Sequence, residues 1–182
     1  GVRPLEVYGP VGLTGMTDHL IAPYAEDIRI RTAEGGSRNV AGGSGPIVKT
    51  HEMTAGVVYR DDRVTVDAFR VPHGKWEHAF GFRFRTPDKV IVISGDTAFS
   101  PTIAEQCNGC DILVHEGGFS DNSAYFREPH TSAEELARVA AAAKPKLLVL
   151  YHQRNANGDG VRIIRSGFQG PVVVANDLQV FE

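Results

Sequence analysis

Residues 90–93 form a short run that is apolar at every position and ends at the polar turn Ser94-Gly95-Asp96-Thr97. A strand that is apolar throughout is typical of the centre of a sheet, where both faces are covered. Residues 147–151 form a second, largely apolar run, which ends at His152. The two runs therefore predict buried strands whose ends carry a carboxylate and an imidazole.

The segments before residue 89 follow a different pattern. Phe80, Phe82 and Phe84 alternate with glycine and arginine, as in a half-buried antiparallel strand. After residue 100, predicted strands alternate with predicted helices. We therefore predict a mixed α/β (α+β) fold, with antiparallel strands first and then strands that alternate with helices packed on one face. Residues 4–8 form a short apolar run. The predicted strands are 47–50, 56–60, 64–69, 79–85, 89–94, 112–114, 147–151, 172–175 and 178–181, and the predicted helices are 13–25, 101–106, 132–144 and 160–166.

Length and composition favour a single compact domain over the 182 residues. Residues 32–46 contain five glycines and predict a flexible loop. The longest predicted helix, 132–144, follows two hydroxyl residues, and either Thr131 or Ser132 could cap it.

The formal net charge of −3 gives no sign of a polybasic surface for membranes or nucleic acid. No run of 18 or more apolar residues occurs, so these residues contain no transmembrane helix.

Cys107 and Cys110 are the two cysteines of the chain and have the spacing Cys-x-x-Cys. A redox pair and half of a zinc site are the functional interpretations of this spacing. No second Cys-x-x-Cys occurs, and the surrounding pattern fits a thioredoxin-like motif poorly. We therefore favour two small, half-buried residues at the end of a helix.

Several acid–base residues follow predicted strands or precede the long helix, where rigid scaffolds commonly place their chemistry. They are His73, Asp96, His115, His130 and His152. A single histidine is usually a hydrogen-bonded structural residue, but five such positions favour a shared site. A carboxylate at a buried strand end needs a cation or several hydrogen-bond donors. A metal ion would meet this need, and so would a helix N-terminus near Thr97 or Pro101; the ligand types favour the metal.

The ordered motifs resemble the metallo-β-lactamase fold superfamily, and most closely its ribonuclease Z branch with the arylsulfatase-like and phosphodiesterase relatives. The resemblance extends from about Pro4 to Phe181. Its motifs are Tyr8-Gly9-Pro10, Val71-Pro72-His73-Gly74, Ser94-Gly95-Asp96-Thr97, Val114-His115-Glu116, His130-Thr131-Ser132 and Leu150-Tyr151-His152.

The resemblance implies an αβ/βα sandwich with a two-metal centre, usually zinc, although manganese or iron would accept the same ligands. His73, Asp96 and His152 match metal ligands of the family, with Asp96 bridging the two ions. His130 matches the histidine that helps to protonate the leaving group, and Glu116 matches the acid that orients it. The implied reaction is ester hydrolysis by a metal-activated hydroxide.

The His-x-His-x-Asp-His motif of this family is absent from these residues; Thr17-Asp18-His19 contains only an Asp-His pair. We interpret His19 and His51 as surface or packing residues. Because the family places the missing motif before its Tyr-Gly-Pro segment, we expect the chain to correspond to the C-terminal half of a longer protein. An N-terminal half or another complementing chain is then an expected partner, and a homodimer is a further alternative.

The substrate class stays open between three alternatives. The leading hypothesis is a phosphodiester or related ester, with RNA as a possible substrate. The short connection 86–88, where ribonuclease Z members often carry an insertion, leaves room for an arylsulfatase-type esterase. Trp76 and His78 would line a pocket for such a substrate, or would form an exposed turn. A non-catalytic half-domain that binds a complementing chain is the third alternative.

Overall fold

The computed structural model describes residues 4–33, 48–117, 123, 127–152 and 159–181. The chain forms two compact units, Gly1–Thr54 and Ala55–Glu182. The assignment of the whole chain to one domain stays a prediction.

The first unit joins two parallel strands by helices, as parallel strands require a crossover connection. Strand β1 pairs with β2 so that Leu5 lies opposite Val48. Glu52 holds the start of the first helix, because its carboxylate accepts hydrogen bonds from the backbone N–H groups of Gly12 and Thr14. The elements are β1 (Leu5–Gly9), α1 (Leu13–Ile21), a 3-10 turn (Ala22–Tyr24), α2 (Ala25–Ala33) and β2 (Val48–Glu52).

The predicted helix 13–25 is therefore interrupted by a 3-10 turn that contains Pro23. Proline lacks the N–H group that a continuous α-helix needs, which explains the change of geometry. Helical structure then continues to Ala33, so the predicted loop 32–46 is wrong at residues 32 and 33. The rest of that predicted loop lies outside the described residues.

The second unit is built on a seven-stranded sheet in the order β3-β4-β5-β6-β7-β8-β9. Strands β3 to β6 pair antiparallel, and β6 to β9 pair parallel with helices between them. This is the predicted α/β order. The strands are β3 (Gly56–Arg60), β4 (Thr65–Arg70), β5 (Phe80–Arg85), β6 (Val90–Ile93), β7 (Ile112–Glu116), β8 (Leu147–Tyr151) and β9 (Val172–Val174), and the helices are α3 (Pro101–Cys107), α4 (Ala133–Ala143) and α5 (Asp159–Gly167).

The hydrophobic core lies between this sheet and its three helices. Val92, Leu113 and Leu148 occupy adjacent register positions on one face and are fully buried. Leu136 of α4 and Ile164 of α5 belong to the same buried cluster. Packing against the helices therefore holds strands β6, β7 and β8 in place. The polar residues discussed below lie at the carboxyl ends of these strands.

Ser132 is the N-cap of α4. Its hydroxyl accepts a hydrogen bond from the N–H of Glu135, and the Glu135 carboxylate accepts one from the N–H of Ser132. The Thr131 hydroxyl instead donates to the carbonyl of Thr97. The prediction of a hydroxyl cap is confirmed, and the capping residue is Ser132.

Two sequence predictions are wrong in this unit. Cys107 and Cys110 are buried and form a disulfide, because Asn108 and Gly109 adopt positive φ values of 36° and 81° and reverse the chain. Residues 178–181 form no strand; Leu178 lies in a turn and is fully exposed. Within the described ranges, no helix has both the length and the apolar character needed to cross a bilayer.

Candidate metal centre

The carboxyl ends of β6, β7 and β8 lie side by side at one edge of the parallel part of the sheet. Asp96 follows β6 after a short turn, Glu116 is the last residue of β7, and His152 follows β8 directly. His130 reaches the same edge from the segment before α4. Ligands of α/β proteins commonly bind at this edge, beyond the carboxyl ends of the strands.

Asp96, His130 and His152 bring one ligand atom each to within 4.8 Å of one another. The Nε2 atom of His152 lies 3.8 Å from Oδ2 of Asp96. The rings of His130 and His152 are 5.5 Å apart between centroids. The three side chains therefore converge on one small volume.

Two backbone conformations create this convergence. Gly95 has a φ of 65°, and a Cβ atom there would lie 2.5 Å from the carbonyl oxygen of Phe80. Only glycine fits such a close approach, so Gly95 allows the chain to turn before Asp96. His152 also has a positive φ, 55°, which is uncommon for a residue with a side chain and is often found at functional sites.

Glu116 lies fully buried behind His130. Its Oε1 atom accepts hydrogen bonds from the N–H groups of Thr97 and Thr131, and Nδ1 of His130 lies 3.3 Å from it. Burial raises the pKa of Glu116 to about 8, although the two backbone donors oppose this shift. Its Oε2 atom has no hydrogen-bond partner in the described part of the chain. Glu116 therefore lies within hydrogen-bonding distance of His130, and its role in orienting that ring stays a prediction.

His73 lies beside His130, with their ring centroids 5.5 Å apart. Its Nδ1 atom donates a hydrogen bond of 2.8 Å to the carbonyl of Pro129. This bond fixes the ring orientation and leaves Nε2 as the ring nitrogen that can act as a ligand. His73 is not one of the three residues whose ligand atoms lie within 4.8 Å of one another. Its role as a metal ligand stays a prediction.

Tyr151 is a residue of this site that the sequence interpretation missed. Its hydroxyl donates a hydrogen bond of 3.3 Å to Oδ1 of Asp96. Burial, followed by the negative charge of Asp96, raises the pKa of Tyr151. The only signal in the sequence was its position directly before His152.

His115 does not reach the cluster, although it also lies near the end of a strand. It precedes Glu116 in β7, and side chains alternate between the faces of a strand. His115 therefore lies in the core on the helix side, fully buried, and burial lowers its pKa to about 4. It is a structural histidine.

The remaining predicted residues lie outside this cluster. His19 is exposed on α1, and His51 stacks on Tyr8 at 4.4 Å and pairs with Glu6. These contacts confirm that both histidines are surface or packing residues. Trp76 is 73% exposed in the turn that follows His73, and a substrate contact there stays a prediction.

Residues 16–153 match the family model described as a beta-lactamase superfamily domain. The chain belongs to this superfamily. Ribonuclease Z from Mycobacterium marinum is 28% identical to it over 192 aligned positions, which cover 98% of the chain and 67% of that relative.

Two solved structures share the fold of this superfamily member. The metallo-beta-lactamase fold protein YhfI from Bacillus subtilis superposes with a TM-score of 0.68 and 16% identity, over 97% of the chain and 63% of that protein. Human tRNase Z, short form, superposes with a TM-score of 0.67 and 23% identity, over 99% of the chain and 67% of that protein. The predicted metallo-β-lactamase fold is confirmed, and the chain spans about two thirds of the length of these proteins.

The donor set of the cluster fits a divalent cation. A carboxylate oxygen and two imidazole nitrogens are ligands that zinc and similar ions accept. Glu116 lies 3.3 Å from Nδ1 of His130, so a carboxylate stands behind the ring that joins this cluster. His152 is exposed, and Asp96 and His130 are half-buried, so an ion from solvent can reach them.

Proposed function

We propose that this superfamily member is a metal-dependent hydrolase of phosphodiester bonds, with RNA as its substrate class. The observation that carries the proposal is the convergence of Asp96, His130 and His152 from three separate segments of the chain. The similarity to ribonuclease Z supports the choice of RNA. Zinc is the expected ion, and manganese or iron would accept the same ligands.

In this proposal, Asp96 and His152 hold the cation, and His73 binds from the side of His130. When bound, a divalent cation would lower the pKa of water and neutralise the charge that develops on the phosphate. His130 would transfer a proton to the leaving oxygen through its Nε2 atom, while Glu116 holds Nδ1. Burial of Glu116 keeps this pair fixed in orientation.

A two-metal centre needs more ligands than His73, Asp96 and His152 supply. We therefore propose that a complementing polypeptide segment, of the kind that makes the relatives longer, supplies the others. A non-catalytic role for this chain would then apply wherever that segment is absent.

The test combines metal analysis with turnover of bis-p-nitrophenyl phosphate and of a 3′-extended RNA. We expect the wild-type chain to bind metal and, with the complementing segment present, to hydrolyse these substrates, whereas an Asp96→Ala variant should lose both properties. Asp62→Ala is the matched control, because Asp62 is an exposed carboxylate in the turn between β3 and β4. Wild-type protein that binds no metal, or an Asp96→Ala variant with unchanged turnover, would contradict the proposal.

A second candidate is an arylsulfatase-type esterase. Thr86 closes the β5–β6 turn tightly through its N–H bond to the Lys89 carbonyl, so no insertion occupies this position. Exposed Trp76 offers an aromatic surface near His73. Faster hydrolysis of an aryl sulfate than of the phosphodiester, under the same conditions, would favour this candidate.

A further inference from the structure

Tyr151 is the last residue of β8 and lies opposite Glu116 of β7 in the sheet register. It is half-buried, and its hydroxyl donates a 3.3 Å hydrogen bond to Oδ1 of Asp96. The donor and the acceptor are 55 residues apart in sequence. The bond therefore connects two of the three strand ends that build the metal centre.

The two oxygens of Asp96 face different partners. Oδ1 accepts the hydrogen bond from Tyr151, and Oδ2 lies 3.8 Å from Nε2 of His152. An ionised carboxylate can only accept hydrogen bonds, so the tyrosine must be the donor. This bond restricts rotation of the carboxylate and directs Oδ2 towards the imidazole cluster.

The backbone at His152 explains how two consecutive residues can serve one site. Successive side chains of a strand point to opposite faces, so Tyr151 and His152 would normally diverge. The positive φ of His152 ends this alternation, and the two rings lie 6.3 Å apart with both side chains directed at Asp96. The positive φ of His152 thus allows His152, a proposed metal ligand, and Tyr151, a hydrogen-bond donor, to approach the same carboxylate, that of Asp96.

We propose that Tyr151 is a positioning residue that holds Asp96 in the orientation required to bind the metal. This inference rests on the proposed metal-dependent function. Hydrogen-bond partners outside the ligand shell typically change metal affinity about 10–100-fold when they are removed. Removal of the Tyr151 hydroxyl should therefore weaken metal binding as well as turnover.

The test measures the affinity of the 182-residue chain for Zn²⁺ and Co²⁺ by competition with a chromophoric chelator. Tyr151→Phe retains the ring and removes only the hydroxyl, and cooperative thermal unfolding verifies its fold. We expect Zn²⁺ affinity to fall about 10–100-fold and the visible spectrum of bound Co²⁺ to change. Tyr59→Phe is the matched control, because Tyr59 also donates to an aspartate, Asp61, in the β3–β4 turn.

The outcomes separate this inference from the proposed function. Equal affinity and an unchanged Co²⁺ spectrum in Tyr151→Phe would overturn the positioning role and leave the metal site intact. An equal loss of affinity in Tyr59→Phe would overturn it too, since the effect would then be general. If the wild-type protein binds neither ion, the proposed function and the positioning role both fail.

Discussion

His115 and Glu116 are neighbours in β7 and both are fully buried, yet their pKa values move in opposite directions. Burial disfavours the charged form of each group, which lowers the pKa of the histidine to about 4 and raises that of the glutamate to about 8. Side-chain alternation places Glu116 at the candidate metal centre and His115 in the core. Two buried titratable groups therefore differ in role because of strand geometry.

We predict that His115 contributes a loss of stability as the pH falls from about 6.5 towards about 4, because it stays neutral when folded and is protonated when unfolded. Glu116, whose pKa is raised by burial, contributes the opposite change between about pH 8 and pH 4.5, so the contribution of His115 is measured against a variant that lacks it. Each unit of pKa difference corresponds to about 1.4 kcal/mol, so full loss amounts to roughly 3 kcal/mol. His115→Gln removes this contribution, so the stability of the variant relative to the wild type should rise as the pH falls from about 6.5 towards about 4. Urea unfolding at several pH values measures it.

His19→Gln is the control for this measurement, since His19 is exposed on α1. It should leave the slope between pH 6.5 and pH 4 as in the wild type. A His115→Gln variant with the same slope as the wild type would show that other groups control the acid transition.

At the level of elements, the capping box of α4 fixes where the longest described helix begins. We predict that Ser132→Ala lowers the free energy of unfolding by about 1 kcal/mol, because the N–H of Glu135 loses its side-chain partner. Thermal or urea unfolding measures the change. Ser166→Ala is the matched control, since the Ser166 hydroxyl bonds within α5 to the carbonyl of Ile163 and caps no helix start. Equal effects of the two substitutions would contradict the capping role.

At the level of the whole molecule, stability depends on the core between the sheet and the helices. We predict that Leu148→Ala lowers the free energy of unfolding by about 2–5 kcal/mol, because Leu148 is fully buried in β8 and the substitution leaves a cavity. Leu178→Ala should change it by less than about 0.5 kcal/mol, since Leu178 is fully exposed. Denaturant unfolding compares the two variants. A small effect at Leu148 would mean that this core tolerates the cavity by rearrangement.

The order of the strands and helices could be predicted because their patterns are local. The alternation at Phe80, Phe82 and Phe84 and the apolar run 90–93 each reflect the faces that one strand buries. The errors arose where local patterns do not decide the outcome. Residues 178–181 are apolar enough for a strand, but a turn occurs at Leu178 and residues 178–180 are exposed.

The candidate site was predictable only in part. Asp96 follows an apolar strand after a short turn and His152 follows one directly, so their places at the sheet edge could be inferred from the chain. The hydrogen bond from Tyr151 to Asp96 could not, because it depends on the register of β8 and on a positive φ at His152. The disulfide between Cys107 and Cys110 likewise depends on the left-handed turn between them.

The printed residues were sufficient to indicate the superfamily, the α/β order and the strand ends that carry acid–base groups, since periodicity and motif order are properties of neighbouring residues. The three-dimensional arrangement decided which of these groups meet: His130 joins Asp96 and His152, His73 lies beside His130, and His115 faces the core. The physical reason is that contacts between distant residues depend on strand register and on a few backbone angles, which no local pattern specifies.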